Sequence, residues 1–504
     1  MKNKNYLLFV TVLCCALNAN AEVKLNSLFS DHMVLQRGVE VPIWGSAAEG
    51  EKVSVNFNGQ TVSTNAVKGK WMVKLKKLKA GGPYTMTIRG TNTISINDIL
   101  VGEVWLCSGQ SNMERQLGPR QGQKPIIDWE KELSEANYPQ IREYYVPLKF
   151  SHIAVDDIGS KWEVCSPITA KEFSAVGYFF ARNLFNDIHV PIGILFTAWG
   201  GTPAEQWTSE ASLANNPVLT ELVENYQKAI KGYPAALDKY KRDEPMLIDK
   251  FRSDSAKAKE ENKPAPRKPS PPGNPATSRT IGTLYNAMIT PLVPYAIKGA
   301  CWYQGEANND RYKQYVPLME TLIETWRKDF EVGDFPFLIV QIAPHKDMKP
   351  EIREAQLIIT QQTKNTALIV TTDCGDSADI HPSNKQPVGE RLAVAAKALA
   401  YKSKAEYSGP VYHSIKIDND KAVLSFIHTG KGLSAKDGEL TGFTIAGSDS
   451  MFVPAKAEIK GNKVIVQSAA VKQPVAVRYG WANVPHVNLY NREGLPASPF
   501  RTEN

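Results

Sequence analysis

Four short polar segments hold the side chains with chemistry to offer. "SGQSNME" (108–114) carries Ser111 behind a Gly-Gln turn, and "AWGGTPAEQW" (198–207) carries the Gly200-Gly201 pair. "WYQGEANND" (302–310) supplies the amides of Gln304 and Asn308, and "DCGDSADIHPSNK" (373–385) supplies Asp376, Asp379 and His381. Acyl transfer needs a nucleophile, a base to take its proton, a group to orient that base and N–H donors for the oxyanion. Ser111, His381 and an aspartate fill the first three roles. The backbone N–H groups at Ser111 and at Gly200 or Gly201, with the amide of Gln304 or Asn308, are the candidate donors. Each residue also has a structural use: Ser is a preferred N-cap, Gly-Gly suits a turn, and "QGEANND" suits the start of a helix. What favours chemistry is that the segments occur together, each behind an apolar run.

Those runs are the elements that must position them. "ILVGEVWLCSG", "VPIGILFTAWGG", "IKGACWYQGE", "PFLIVQIAP" and "TALIVTTDCG" read as buried parallel strands. Between them Tyr315, Leu318, Met319, Leu322, Ile323 and Trp326 follow helical spacing, as do Val176, Phe179, Phe180 and Leu184. Strand and helix alternating in this way predicts a doubly wound α/β domain with a parallel sheet, whose ligands sit beyond the carboxyl ends of the strands.

Around that domain the rhythm changes. From Glu22 to about Asn97, runs such as "VEVPIWG", "KVSVNFNG" and "YTMTIRG" alternate with turn signals and predict a small β-sandwich. After about Tyr401, "SIKIDNDKAVLSFI", "AEIKGNKVIVQ" and "PVAVRYGWA" predict a C-terminal β domain. Within the α/β region, residues 213–279 break the alternation with a helical pattern and then the proline-rich "KAKEENKPAPRKPSPPGNPATS", expected as a surface insertion. The expected division is therefore 22–97, 98–403 and 404–504, in line with a length of 504 residues.

Residues 1–21 read as a signal peptide: Lys2 and Lys4 precede an apolar run from Tyr6 to Leu17, and Ala19-Asn20-Ala21 has the small-x-small pattern of a cleavage site. The run is short of the ~20 residues a membrane span requires. An exported protein, periplasmic or secreted, beginning near Glu22 is expected. Removing two lysines and no acid lowers the formal charge from +7 to +5, too little for a nucleic-acid footprint. Cys107, Cys165, Cys301 and Cys374 remain; their spacing fits neither a zinc site nor a disulfide framework. The eight histidines form no His-x-His or His-x-x-x-His pair. Neither a metal nor any other cofactor is expected.

Taken in order, Gly-Gln-Ser-Asn-Met, Gly-Gly, "WYQGEAN", "DIHPSNK" with "GERLA", "LYNAMITPLVPYAIKGACWYQGEAN" and the tail "NLYNREGLPASPFRT" resemble the sialate O-acetylesterase family of the SGNH hydrolases. The resemblance covers nearly all of the chain after residue 21. It implies a Ser-His-Asp hydrolase on a flavodoxin-like domain that removes acetyl groups from sugar hydroxyls without a metal. By motif it makes Ser111 the nucleophile and His381 the base, and places Gly201 and Gln304 or Asn308 in the oxyanion blocks. Two features depart from common patterns. Asn112-Met113 after the serine rules out a Gly-x-Ser-x-Gly elbow. Three residues before His381, where many SGNH enzymes have the acid, stands Ala378; Asp379 is therefore the first choice of orienter and Asp376 the alternative.

The expected activity is carbohydrate O-acetylester hydrolysis on a small-molecule or oligosaccharide ester. The resemblance points to O-acetylated sialic acid, with acetylated xylan or another plant glycan as the alternative. For a sialate carboxylate, Arg115 and Arg353 ("EIREAQ") are the candidate binders. Two other classes remain open: a non-catalytic sugar-binding protein, and a glycosidase using two carboxylates such as Glu306 with Asp379.

Overall fold

The computed structural model describes residues 22–503, so the leader reading at 1–21 lies outside the described residues. At the centre is the strand β1 (Thr93–Gly109), 17 residues long. Its first half alternates buried and exposed side chains; from Ile99 onward every residue is buried. That change marks a passage from a sheet with one wet face to a sheet covered on both. The first half pairs antiparallel with Gly81–Arg89, and the second lies parallel between β4 (Ile192–Ala198) and β5 (Gly299–Tyr303). The expected limit at residue 97 or 98 thus falls inside one continuous strand.

β2 (Tyr138–Tyr145), β3 (Trp162–Cys165), β6 (Phe337–Val340) and β7 (Thr366–Ile369) complete the central sheet, in the order β3-β2-β4-β1-β5-β6-β7. All pair in parallel except the edge strand β3, which is antiparallel to β2. The five predicted strands therefore all form. Numbered along the chain, they lie in the order 2-1-3-4-5, and β2 and β3 extend the edge beyond them.

Helices cover both faces. On one, α3 (Ala175–Ile188) packs against α8 (Gln386–Tyr401), and Phe179, Phe180, Leu184, Val388 and Leu392 cluster with Trp105, Ile194 and Leu338. On the other, α6 (Tyr312–Phe330) and α7 (Pro350–Gln362) bring Leu318, Leu322, Trp326, Ile352 and Ile359 onto Leu106, Trp302, Phe337 and Ile339. Both predicted helical stripes are buried as expected, each large apolar side chain contributing about 1.5 to 3 kcal/mol. The second cluster continues without a gap into Leu35, Val55 and Phe57 of the N-terminal strands.

Residues Thr220–Glu260 form one 41-residue helix, α5 once the short helices Ser111–Glu114 (α1), Trp129–Glu135 (α2) and Glu210–Asn215 (α4) are counted. None of its side chains is buried, and only its first turns touch the core, through Leu222, Val223 and Tyr226. Beyond it, antiparallel strands between Val411 and Arg501 enclose a separate cluster around Leu424, Val464, Ile445, Val477 and Phe500. Arg501 fixes this region to α7 by a two-pronged bond to Glu354, at 2.9 and 3.0 Å. Among the described residues no helix is long and apolar enough to cross a membrane.

Candidate active site

β1 ends at Gly109, whose φ of +143° and close approach to β5 both exclude a side chain: a Cβ there would lie 2.2 Å from the Tyr303 carbonyl oxygen. The next amide, Gln110 N–H, donates to that same oxygen at 3.0 Å. Ser111 then opens α1. It is not the cap: Gln110 occupies that position, and no side chain caps the helix. The Ser111 hydroxyl instead lies 2.8 Å from His381 Nε2. α1 is held from behind by the Ser174 hydroxyl, which donates to Met113 O at 2.7 Å while accepting from Gly177 N at the start of α3.

His381 sits on the loop from β7 to α8. Asp379 Oδ1 accepts the His381 backbone N–H at 2.8 Å and lies 3.7 Å from Nδ1, which brings a negative charge to the imidazole without a direct hydrogen bond. Asp376 faces elsewhere. Its Oδ1 accepts the Ala378 and Asp379 N–H groups at 2.9 and 3.2 Å, and its Oδ2 is paired with Lys124 at 2.5 Å. Burial lowers the pKa of His381, Lys385 lowers it further, and Asp379 opposes both. Neutral, proton-accepting imidazole is the favoured state.

Gly200 lies against Ser111: a Cβ there would be 3.2 Å from Ser111 Cβ and 2.9 Å from Glu114 Oε2. Its N–H is taken by that carboxylate at 2.5 Å. Gly201, at φ +70°, has open space around its Cα. The amides of Gln304 and Asn308 are both committed. Gln304 Nε2 donates to Thr202 O and Asn308 Oδ1, while Asn308 accepts from Ala204 N and donates to Glu205 Oε2. They brace the loop 200–205, so its backbone is what they offer the site.

The two arginines part company. Arg353 is buried against the C-terminal strands and donates to the carbonyls of Ala482 and Asn483. Arg115 is 1% exposed, and its guanidinium nitrogens have no hydrogen-bond partner; burial lowers its pKa and Asp379 opposes that shift. Glu306 is turned onto Asn112 Nδ2 at 2.7 Å, so its proposed partnership with Asp379 has no contact to rest on.

Sequence reasoning passed over Asn112 and Lys385. Asn112 Nδ2 also donates to Ile380 O at 3.0 Å, and Lys385 Nζ donates to Asn112 Oδ1 at 2.5 Å. The available signal was position alone: one residue follows the serine, and the other lies four past the histidine.

A serine hydroxyl held on a histidine at the carboxyl edge of an α/β sheet places the protein among the ester hydrolases. More narrowly, the family described as "Carbohydrate esterase, sialic acid-specific acetylesterase" matches residues 101–258 and 274–398, and the chain belongs to it. The chain is 30% identical to rat sialate O-acetylesterase over 551 aligned positions, covering 98% of this chain and 97% of that protein. It is 28% identical to the human sialate O-acetylesterase, covering 98% and 95%. A crystal structure of a carbohydrate acetylesterase from Xanthomonas citri superposes with a TM-score of 0.79 at 35% identity, covering 96% of this chain and all of that one. The protein is a carbohydrate O-acetylesterase.

Proposed function

We propose that the chain releases acetate from O-acetylated sugars by a Ser111–His381–Asp379 mechanism. The observation that carries this reading is the 2.8 Å contact between Ser111 Oγ and His381 Nε2, at the strand end where ligands of such sheets bind. Ser111 Oγ attacks the acetyl carbonyl as its proton passes to Nε2, and the sugar oxygen leaves with that proton. Water, deprotonated by the same nitrogen, then attacks the acetyl-enzyme; acetate departs and Oγ regains its hydrogen. Asp379 stabilises the imidazolium formed in both halves. The backbone N–H groups of Ser111 and Gly201 are the oxyanion donors we favour, with Gln304 and Asn308 holding the loop that presents the second. The strand order 2-1-3-4-5 is that of flavodoxin-like sheets and supports an SGNH-type, doubly wound core. On this reading residues 404–504 are a flanking β domain, the N-terminal strands are a β region that shares β1 and a core cluster with the α/β domain, and residues 1–21 are an export signal.

O-acetylated sialic acid is the first substrate to test, since the rat and human relatives carry that name. Arg115, whose three guanidinium nitrogens have no hydrogen-bond partner, is its candidate carboxylate partner; Arg353 is held through one nitrogen by Ala482 and Asn483. One observation favours a neutral sugar instead. A cleft of about 490 Å³ beside the nucleophile helix is lined by Glu114, Glu143, Glu163 and Glu172 against Arg120, with Tyr145 on its wall. Burial pushes the Glu143 carboxyl well above the usual range, and Glu114, Glu163 and Glu172 each lie by a cation, Arg120, Lys161 and Lys171, so the cleft offers acceptors for hydroxyls rather than a place for a further anion. The test is kcat/KM for acetate release from O-acetyl sialic acid and from an acetylated xylo-oligosaccharide, for wild type, Ser111→Ala and Arg115→Ala. Ser111→Ala is expected to be inactive on both. Full activity in that variant would overturn the mechanism. Preference for the neutral ester, with Arg115→Ala failing to separate the substrates, would remove the sialate reading alone.

A further inference from the structure

Between the nucleophile and the histidine loop lies a buried polar knot that the acyl-transfer scheme leaves unused. The Asn112 side chain sits at its centre, making three hydrogen bonds. Its oxygen accepts from Lys385 Nζ at 2.5 Å, one N–H donates to Glu306 Oε1 at 2.7 Å, and the other donates to Ile380 O at 3.0 Å. Three chain segments thus meet on one amide: α1 behind Ser111, the turn after β5, and the loop whose next residue is His381. The neighbours fix which way the amide points. Reversed, its NH2 would face the ammonium and its oxygen the carboxyl and carbonyl oxygens.

Lys385 is 1% exposed and stands over the Tyr303 ring, 5.3 Å from the centroid. An ammonium in so dry a place is costly unless paired and held. The only carboxyl on the knot is Glu306, one oxygen of which has no partner. Burial brings Lys385 down to about 7 and pushes Glu306 up, each tempered by the other. Arg115 lowers Lys385 further, while Cys374 and Asp379 oppose it. Four charged groups bear on His381: Lys385 and Arg115 disfavour its imidazolium, and Asp379 and Glu114 favour it.

We propose that Lys385 is a positioning residue for the esterase reaction: through Asn112 it locks the Ile380-His381 loop against the Ser111 helix. The inference rests on the reading of Ser111 and His381 as nucleophile and base. It accounts for a lysine buried to 1% exposure beside the nucleophile helix. It also predicts a sign: after burial, the Lys385 charge is the next influence lowering the His381 pKa, so removing it raises that pKa and moves the acidic limb of kcat/KM to higher pH.

The test compares Lys385→Met, Lys385→Gln and Lys385→Arg in the full chain, reading kcat, KM, the pH profile of kcat/KM and the rate at which a phosphonate labels Ser111. Both neutral variants are expected to raise the acidic limb by about half a pH unit or more, as for one charge acting across a partly screened site, and to lower kcat with little change in KM. Lys385→Arg keeps the charge and is expected to hold the limb near wild type. The proposal is overturned if neither neutral variant moves the limb, if Lys385→Arg moves it as far as they do, or if none of the three folds, which would make Lys385 structural only. Failure of the phosphonate to label Ser111 in the wild type is a separate result, and it would overturn the nucleophile assignment instead.

Discussion

Replacing Asp379 with Asn tests the orienter with the least disturbance, because an Asn oxygen still accepts the His381 backbone N–H that Asp379 Oδ1 accepts at 2.8 Å. What the substitution removes is a negative charge 3.7 Å from Nδ1. At that separation two unit charges interact by about 4.5 kcal/mol at an effective dielectric constant of 20, and by about 1 kcal/mol in water. The histidine and aspartate side chains are 26% and 23% exposed, so the site lies between those limits. About 2 to 3 kcal/mol of imidazolium stabilisation is at stake, or roughly 30- to 150-fold in kcat. That is less than the roughly 10⁴-fold loss seen where the acid is hydrogen-bonded to the imidazole, as expected for a charge that reaches Nδ1 without a bond. The pH profile carries a sign. Asp379 raises the His381 pKa against the effect of burial, so its loss lowers that pKa and moves the acidic limb of kcat/KM to lower pH. Asp376→Asn is expected to leave kcat within a few-fold, since its turn-capping oxygen is conserved and only the surface pair with Lys124 is lost. The assay is acetate release from an acetylated sugar between pH 4 and pH 9, on the order of the range over which histidine titrates. A larger loss in Asp376→Asn than in Asp379→Asn, or a limb that moves upward in Asp379→Asn, would refute the assignment.

Gly200→Ala is expected to cut kcat sharply, because its Cβ would press on Ser111 Cβ and Glu114 Oε2; Gly201→Ala, strained at φ +70° but in open space, is expected to cost about 1 kcal/mol of stability. Comparing kcat with the melting temperature separates the two, and equal effects would contradict the placement of Gly200 against the nucleophile. Arg353→Ala is expected to lower the melting temperature through the lost grip on Ala482 and Asn483, with the ratio of kcat/KM on sialate and neutral esters unchanged; a changed ratio would return Arg353 to the substrate. Hydrolysis is expected to survive exhaustive chelation, since no group of three His, Cys, Asp or Glu among the described residues is placed to hold a metal. Activity lost to a chelator and restored by zinc would contradict that expectation.

The strands that sequence reasoning recovered are those whose surroundings are uniform. The second half of β1 is buried at every residue and reads as an unbroken apolar run, as do β4 and β5. β2 has no such signature. Its interior holds Arg142 and Glu143, both buried: Arg142 reaches Asp98 at 2.8 Å, and burial pushes the Glu143 carboxyl well above the usual range. A strand that carries its own buried charges breaks the apolar pattern, and its partners lie too far along the chain to be read from it. The helical pattern expected at the start of residues 213–279 is α5; what was obscured is its length, because Pro234 and Pro245 lie inside a helix with no buried face and prolines normally end a helix.

At the site, legibility follows the same division between what a residue is and what it touches. The pairing of Ser111 with His381 was readable because serine and histidine are recognised by type as partners in acyl transfer, and the turn before each is marked by Gly or Asp. The amides of Gln304 and Asn308 were readable as donors, but which acceptor each would take was not, and the acceptors they do take make them braces for the 200–205 loop. Asn112 and Lys385 were unreadable for a stronger reason. An asparagine after a serine and a lysine four residues past a histidine are ordinary surface residues until the fold brings residues 112, 306, 380 and 385 to one point. Once it does, burial reverses their meaning: a lysine that would be solvated is brought down to about 7 among the groups that bear on His381, and the asparagine is the link that holds it. Motifs show which atoms can react, whereas the protonation state in which His381 waits depends on charges that only tertiary structure assembles around it.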